Sequence, residues 1–204
     1  YLMATAAGID MSECRLHHEG GRSHFMTRRF DRNERGRKVH MQSLGAMQHF
    51  DFNDPTSYSY EQAIMTVRDL GLGMDVVEQQ YKRAVFNVVA RNQDDHVKNI
   101  SFLMDRSGTW RLSPAYDVAY SYNPSGSWTR DHQMSLAGKR NDFTHGDLMV
   151  FASNVGLKSN RANQAIEDIV GAVAQWHEFA ERAGVEHSDV SRIAKTFRMN
   201  LRGK

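Results

Sequence analysis

Apolar positions recur at helical spacing over much of the chain and at strand spacing in four short stretches. Ser59, Tyr60, Glu61 and Gln62 form a capping-box pattern. Ile64, Val67 and Leu70 then share one helical face before Gly71 stops the run. Asp75, Val76, Val77 and Glu78 repeat the capping pattern, and Val77, Tyr81, Ala84, Val85, Val88 and Val89 predict a core-facing helix ending near Asn92. Two apolar runs, residues 100–104 and 109–112, flank an Asp-x-x-Gly turn at Asp105 and Gly108 and predict a β-hairpin closed by Ser113 and Pro114. A second hairpin is expected from residues 11–16 and 24–30, joined by a turn containing Gly20 and Gly21.

Residues 40–55 lack clear periodicity and read as mostly loop with a short helix. Beyond a loop at residues 120–131, Thr144 and Asp147 open a helix running to Val155 and Gly156. Ser159 precedes a long helix carrying Ala162, Ile166, Ile169, Val170, Val173 and Ala180. Ser188 opens a last one with Val190, Ile193, Phe197 and Leu201. Residues 1–8 read as the end of a helix stopped by Gly8, so the polypeptide is expected to begin earlier than Tyr1. The fold class is α+β, mainly α, with short hairpins.

Composition adds limits. The 204 residues, 40% of them hydrophobic, suffice for one sizeable core and suggest one domain or large lobe. A formal charge of +2 does not require a nucleic-acid partner. The single cysteine, Cys14, excludes an internal disulfide and fits a reducing, cytoplasmic setting, and it reads as a small core residue. No apolar run approaches the ~18 residues of a membrane span. Residues 28–38 gather six cations against two carboxylates and read as a solvated loop with local ion pairs.

The chemistry concentrates at residues 90–99. Asp94 and Asn99 stand five residues apart, the offset between the base and the magnesium-binding Asn of protein-kinase catalytic loops, and Asp117 follows eighteen residues after Asn99. Two adjacent carboxylates at a helix C-terminus oppose the helix dipole and each other. They call for compensation by a cation, either His96 and Lys98 or a bound metal. The hairpin would bring Asp117 opposite Asn99, so that Asp94, Asn99 and Asp117 converge. Asp94 would orient a substrate hydroxyl, Asn99 and Asp117 would hold Mg²⁺, and His96 and Lys98 would stabilise the transferred group. A rival reading is a metal-dependent phosphohydrolase or nuclease using Asp94, Asp95, His96 and Asp117; a third is a partner-binding lobe resting on the basic run.

Arg29-Phe30-Asp31-Arg32, then residues 94–99, then residues 111–117 occur here in the order and spacing of the HipA family, which the chain resembles over most of its length. That family comprises serine/threonine kinase toxins of bacterial toxin–antitoxin modules, and the resemblance is to its C-terminal kinase lobe. The resemblance implies a protein-kinase-like lobe spanning residues 1–204, with a helix end, hairpin and hinge at residues 1–32. It implies ATP and Mg²⁺ as cofactors, with Arg28, Phe30, Asp31 and Tyr116 on the nucleotide. Asp94 matches the catalytic acid, and Asn99 and Asp117 match the metal ligands. It also implies a protein substrate such as an aminoacyl-tRNA synthetase and a helix-turn-helix antitoxin of the HipB type. Asp117 is followed by Val118 where other kinases carry Phe-Gly. Neither a Gly-rich phosphate loop nor a strand Lys is found, so this lobe is expected to be inactive alone.

Overall fold

The computed structural model describes residues 1–51 and 53–201. Within the 40–55 stretch, Phe52 lies outside the described residues. The chain runs α1 (Leu2–Ala6), β1 (Cys14–Glu19), β2 (Arg22–Thr27), β3 (His40–Ser43), α2 (Leu44–Met47), a 3₁₀ turn (Pro55–Ser57), α3 (Tyr60–Asp69) and α4 (Met74–Val89). It continues with β4 (Ser101–Met104), β5 (Trp110–Leu112), α5 (His145–Asn154), α6 (Ser159–Ala174), α7 (Trp176–Arg182) and α8 (His187–Ala194). The result is mainly helical with two small antiparallel sheets, as the patterning predicts.

Helix α4 is the axis of the core. Val77, Tyr81, Ala84, Val85, Val88 and Val89 are fully buried along it, and it packs against α3 and α6. Tyr81 stacks on Phe151 of α5 with centroids 5.3 Å apart, and its hydroxyl donates to the Leu148 carbonyl at 3.1 Å. Each such side chain taken out of water is worth ~1.5–3 kcal/mol, so this one seam anchors three helices. Ser59 and Gln62 make the reciprocal capping bonds of α3, and Thr144 and Asp147 do the same for α5. The second expected capping box is not one: α4 starts at Met74 behind Gly73, with no side-chain cap, and Asp75 sits inside its first turn.

In the first sheet Cys14 pairs with Thr27 through to Glu19 with Arg22. The strands therefore reach further into the predicted turn than expected, leaving Gly20 and Gly21 alone as a two-residue link with φ of 56° and 75°. In the second sheet, β4 lies between β3 and β5. Strand β3 replaces the loop expected after His40, because it pairs with the distant β4 rather than following any local alternation. The long C-terminal helix breaks at Gln175 into α6 and α7, and the last helix ends at Ala194, so Phe197 and Leu201 pack from the segment beyond it.

Candidate active site

Helix α4 leads into the loop of residues 94–99. It ends at Val89, Ala90 caps it, and Arg91 takes a left-handed conformation with φ 59° that turns the chain out of the helix. Arg91 is held there by bonds from Nε to the Thr196 carbonyl, 2.7 Å, and from Nη1 to Gln93 Oε1, 3.1 Å. A cation thus stands at the negative end of the helix. Ser121, from the loop after Asp117, accepts at Oγ from the backbone N–H of Gln93 at 2.7 Å and of Asp94 at 3.0 Å. These bonds fix the loop without regular structure.

Asp94 and Asp95 then diverge. The Asp94 side chain keeps 48% of its surface exposed, whereas Asp95 is 3% exposed. Asp95 Oδ2 accepts from the Tyr60 hydroxyl and from His132 Nδ1, each at 2.7 Å, and Oδ1 accepts from the Gln133 backbone N–H at 2.8 Å. Three hydrogen-bond donors therefore compensate the second carboxylate inside the fold. Burial, with the Asp95 charge beside it, pushes the Tyr60 phenol well above its usual range and keeps it a donor. Three donors thus hold the Asp95 carboxylate between Tyr60, His132 and Gln133, on the same cavity wall as His96, Asn99 and Asp117.

Asn99 donates from Nδ2 to the Asp94 carbonyl at 2.9 Å, which leaves its Oδ1 as an acceptor. Asn99 and Asp117 line one cavity of about 30 Å³, with His96, Tyr116, Asn92 and Arg83 also on its wall. Asp117 is exposed and has φ 55°, a left-handed turn at the base of the β4–β5 hairpin. The hairpin closes this geometry through the Ser113 N–H, which donates to the Ser101 carbonyl at 2.9 Å. Two oxygen donors of hard character, Asn99 Oδ1 and the Asp117 carboxylate, on one cavity wall suit Mg²⁺, which prefers oxygen ligands and retains waters. The fully buried Gln80 amide and Arg83 Nε on the same cavity have no hydrogen-bond partner among the described residues, which adds polar groups that such waters would satisfy.

His96 Nε2 lies 3.9 Å from Asp94 Oδ1, too far for a hydrogen bond. Lys98 is exposed, and its backbone carbonyl accepts from the Tyr116 hydroxyl, which also meets Ser101 Oγ at 2.5 Å. Burial raises the Tyr116 phenol above its usual value; the bond to Ser101 opposes the shift and the Asp117 charge reinforces it. The Phe30 ring lies 5.3 Å from the Tyr116 ring. The segment leading from β2 is thereby tied to Tyr116, next to Asp117. Asp31 is gripped by Arg29 and Arg32, and Arg28 is exposed, anchored by its N–H to the Glu13 carbonyl at 2.9 Å.

The patterning did not point to Tyr60, Ser121, His132 or Gln133. Tyr60 does share the Ile64 and Val67 face, so a polar tip aimed into the core was foreseeable. The others come from a loop without periodicity.

A mainly helical unit in which the loop of residues 94–99 leaves the central helix and the chain returns through a hairpin has the fold of a kinase-like lobe. The chain belongs to the HipA-like C-terminal domain family, whose model matches residues 1–195. Among solved structures it is similar to the toxin–antitoxin complex of HipA, HipB and operator DNA from Shewanella oneidensis MR-1, with TM-score 0.77 and 18% identity. The match covers 95% of this chain and 50% of that one, so the chain spans about half the length of its structural relative. No curated protein matches.

Proposed function

We propose that the chain is the C-terminal lobe of an ATP- and Mg²⁺-dependent serine/threonine protein kinase of the HipA type. The observation that carries this reading is the bond from Asn99 Nδ2 to the Asp94 carbonyl, which ties the loop acid to an amide sharing a cavity with Asp117. Phosphoryl transfer asks a protein chiefly for position and charge neutralisation. In this reading Asp94 takes or orients the proton of the substrate hydroxyl. Asn99 and Asp117 hold Mg²⁺, which neutralises phosphate charge when bound. Phe30, Tyr116, Arg28 and Asp31 form the nucleotide side, and His96 and Lys98 support the transferred group.

The family supports a cytoplasmic toxin role. Its substrate would be a protein such as an aminoacyl-tRNA synthetase. A HipB-type antitoxin is supported by the relative's complex with HipB. Among the described residues no helix is long and apolar enough to cross a membrane. The phosphate-gripping loop and Lys would lie in an upstream lobe. ATP-dependent labelling, run on the 204-residue chain and on the chain joined to its upstream coding sequence, tests this. Transfer is expected from the longer polypeptide alone. Phosphodiester hydrolysis without ATP would overturn the reading.

A further inference from the structure

We infer that Gln133 is the positioning residue for the Asp94 carboxylate, set in place by a buried relay that starts at Arg198; the inference rests on the kinase reading above. Asp94 leaves a loop without regular structure and its side chain is nearly half exposed, so nothing in its backbone dictates where its oxygens point. Gln133 Nε2 donates to Asp94 Oδ1 at 2.7 Å. The same residue donates its backbone N–H to Asp95 Oδ1 at 2.8 Å. One residue therefore clamps two consecutive carboxylates, one with its main chain and the other with its side chain.

The clamp is itself immobilised. Asp95 Oδ2 receives His132 Nδ1 and the Tyr60 hydroxyl, both at 2.7 Å. His132 Nε2 faces Arg198 Nη1 at 2.9 Å, and a guanidinium can only donate, so Nε2 accepts and the ring proton sits on Nδ1 toward Asp95. Arg198 is fixed by the Val88 carbonyl, 2.9 Å, and by Asn141 Oδ1, 2.6 Å. Gln133 and Asp95 are each 3% exposed and His132 is fully buried, so the relay is packed inside the fold. It runs from the segment after α8 to the half-exposed Asp94 side chain.

The chemistry of an amide suits the task. A neutral donor fixes one carboxylate oxygen without cancelling the negative charge that a proton acceptor needs, as a Lys or Arg would. With Oδ1 held, Oδ2 is presented to the substrate hydroxyl. Misplacing a catalytic group by about 1 Å can cost about a hundredfold in rate.

Two measurements test this. In the longer polypeptide, Gln133→Leu is expected to lower kcat about ten- to a hundredfold with KM for ATP within about twofold. In an Asp94→Asn background the same substitution is expected to cost nothing further, whereas a merely structural role would impose its loss in both backgrounds. Unchanged kcat in Gln133→Leu, or an equal loss in both backgrounds, overturns the assignment. In the 204-residue chain, which needs no activity, the Gln133 side-chain amide resonances should be dispersed and should move on Asp94→Ala. Solvent-averaged resonances indifferent to Asp94→Ala would also overturn it. Absence of transfer by the wild-type polypeptide would instead count against the kinase reading, with the resonance measurement still deciding whether Gln133 holds Asp94.

Discussion

The side-chain nitrogen of Asn99 donates to the main-chain carbonyl of Asp94 at 2.9 Å. This bond gives the five-residue offset a physical meaning: the chain between the two residues curls until the amide reaches back to the acid. The same bond orients Asn99, because an amide whose nitrogen is committed has its oxygen free to face the cavity shared with Asp117.

Asp94 and Asp117 should separate chemistry from binding. Asp94→Asn preserves shape but removes the proton acceptor, and turnover should fall about 10²- to 10⁴-fold with nucleotide affinity kept within about threefold. Asp117→Asn should weaken Mg-nucleotide binding measurably by calorimetry. Equal effects of both substitutions on binding would contradict the division of roles.

Local rules reached part of this fold. Helices α3 and α5 were legible because their capping boxes close within three residues. The β4–β5 hairpin was legible because Asp105 Oδ1 organises its own turn, accepting from the N–H groups of Ser107 and Thr109. Strand β3 was not, since its pairing partner β4 is remote in sequence. The start of α4 misled because Asp75 and Glu78 imitate a cap while Gly73 performs it. At the site, the Asp94 and Asn99 offset was visible, but the burial of Asp95 depends on Tyr60 and His132, which no spacing rule joins.

Asp95→Ala should be severe for stability. It strips the acceptor from Tyr60, His132 and the buried Gln133 N–H, and each orphaned buried donor costs ~1–3 kcal/mol. Because the three share one site, the losses overlap, and about 3–5 kcal/mol is expected from urea denaturation of the chain. A loss under about 1 kcal/mol would mean that the network relaxes freely.

Gly45→Ala tests how closely α2 braces the loop of residues 94–99. A β-carbon there would lie 3.0 Å from Val97 Cγ2, and Val97 is 2% exposed. The Gly45 N–H also donates to the Val97 carbonyl at 3.1 Å, so the two backbones cannot simply part. Overpacking of this kind costs ~1–3 kcal/mol. Stability should fall within that range, and the shift of Val97 should reduce transfer in the longer polypeptide. An unchanged Tm would show that the loop yields.

Acid should loosen the segment leading to Phe30 through Asp31. Arg29 donates to both Asp31 oxygens, at 2.8 and 2.5 Å, and Arg32 adds a third bond at 2.7 Å. These bonds, led by that from Arg29 and opposed by partial burial, hold the Asp31 carboxyl down at about 2 against an ordinary 3.8. A depressed carboxyl stabilises the fold above its unfolded value, and that contribution is lost as pH falls through the folded value. The ion pairs should therefore be complete at neutral pH and weaken from 3.8 down toward about 2. In Arg29→Ala the carboxyl should return toward 3.8, and the same loosening should begin at correspondingly higher pH. Carbon-detected NMR titration of Asp31 in both proteins checks this; identical curves would show that Arg29 does not hold the carboxylate in solution.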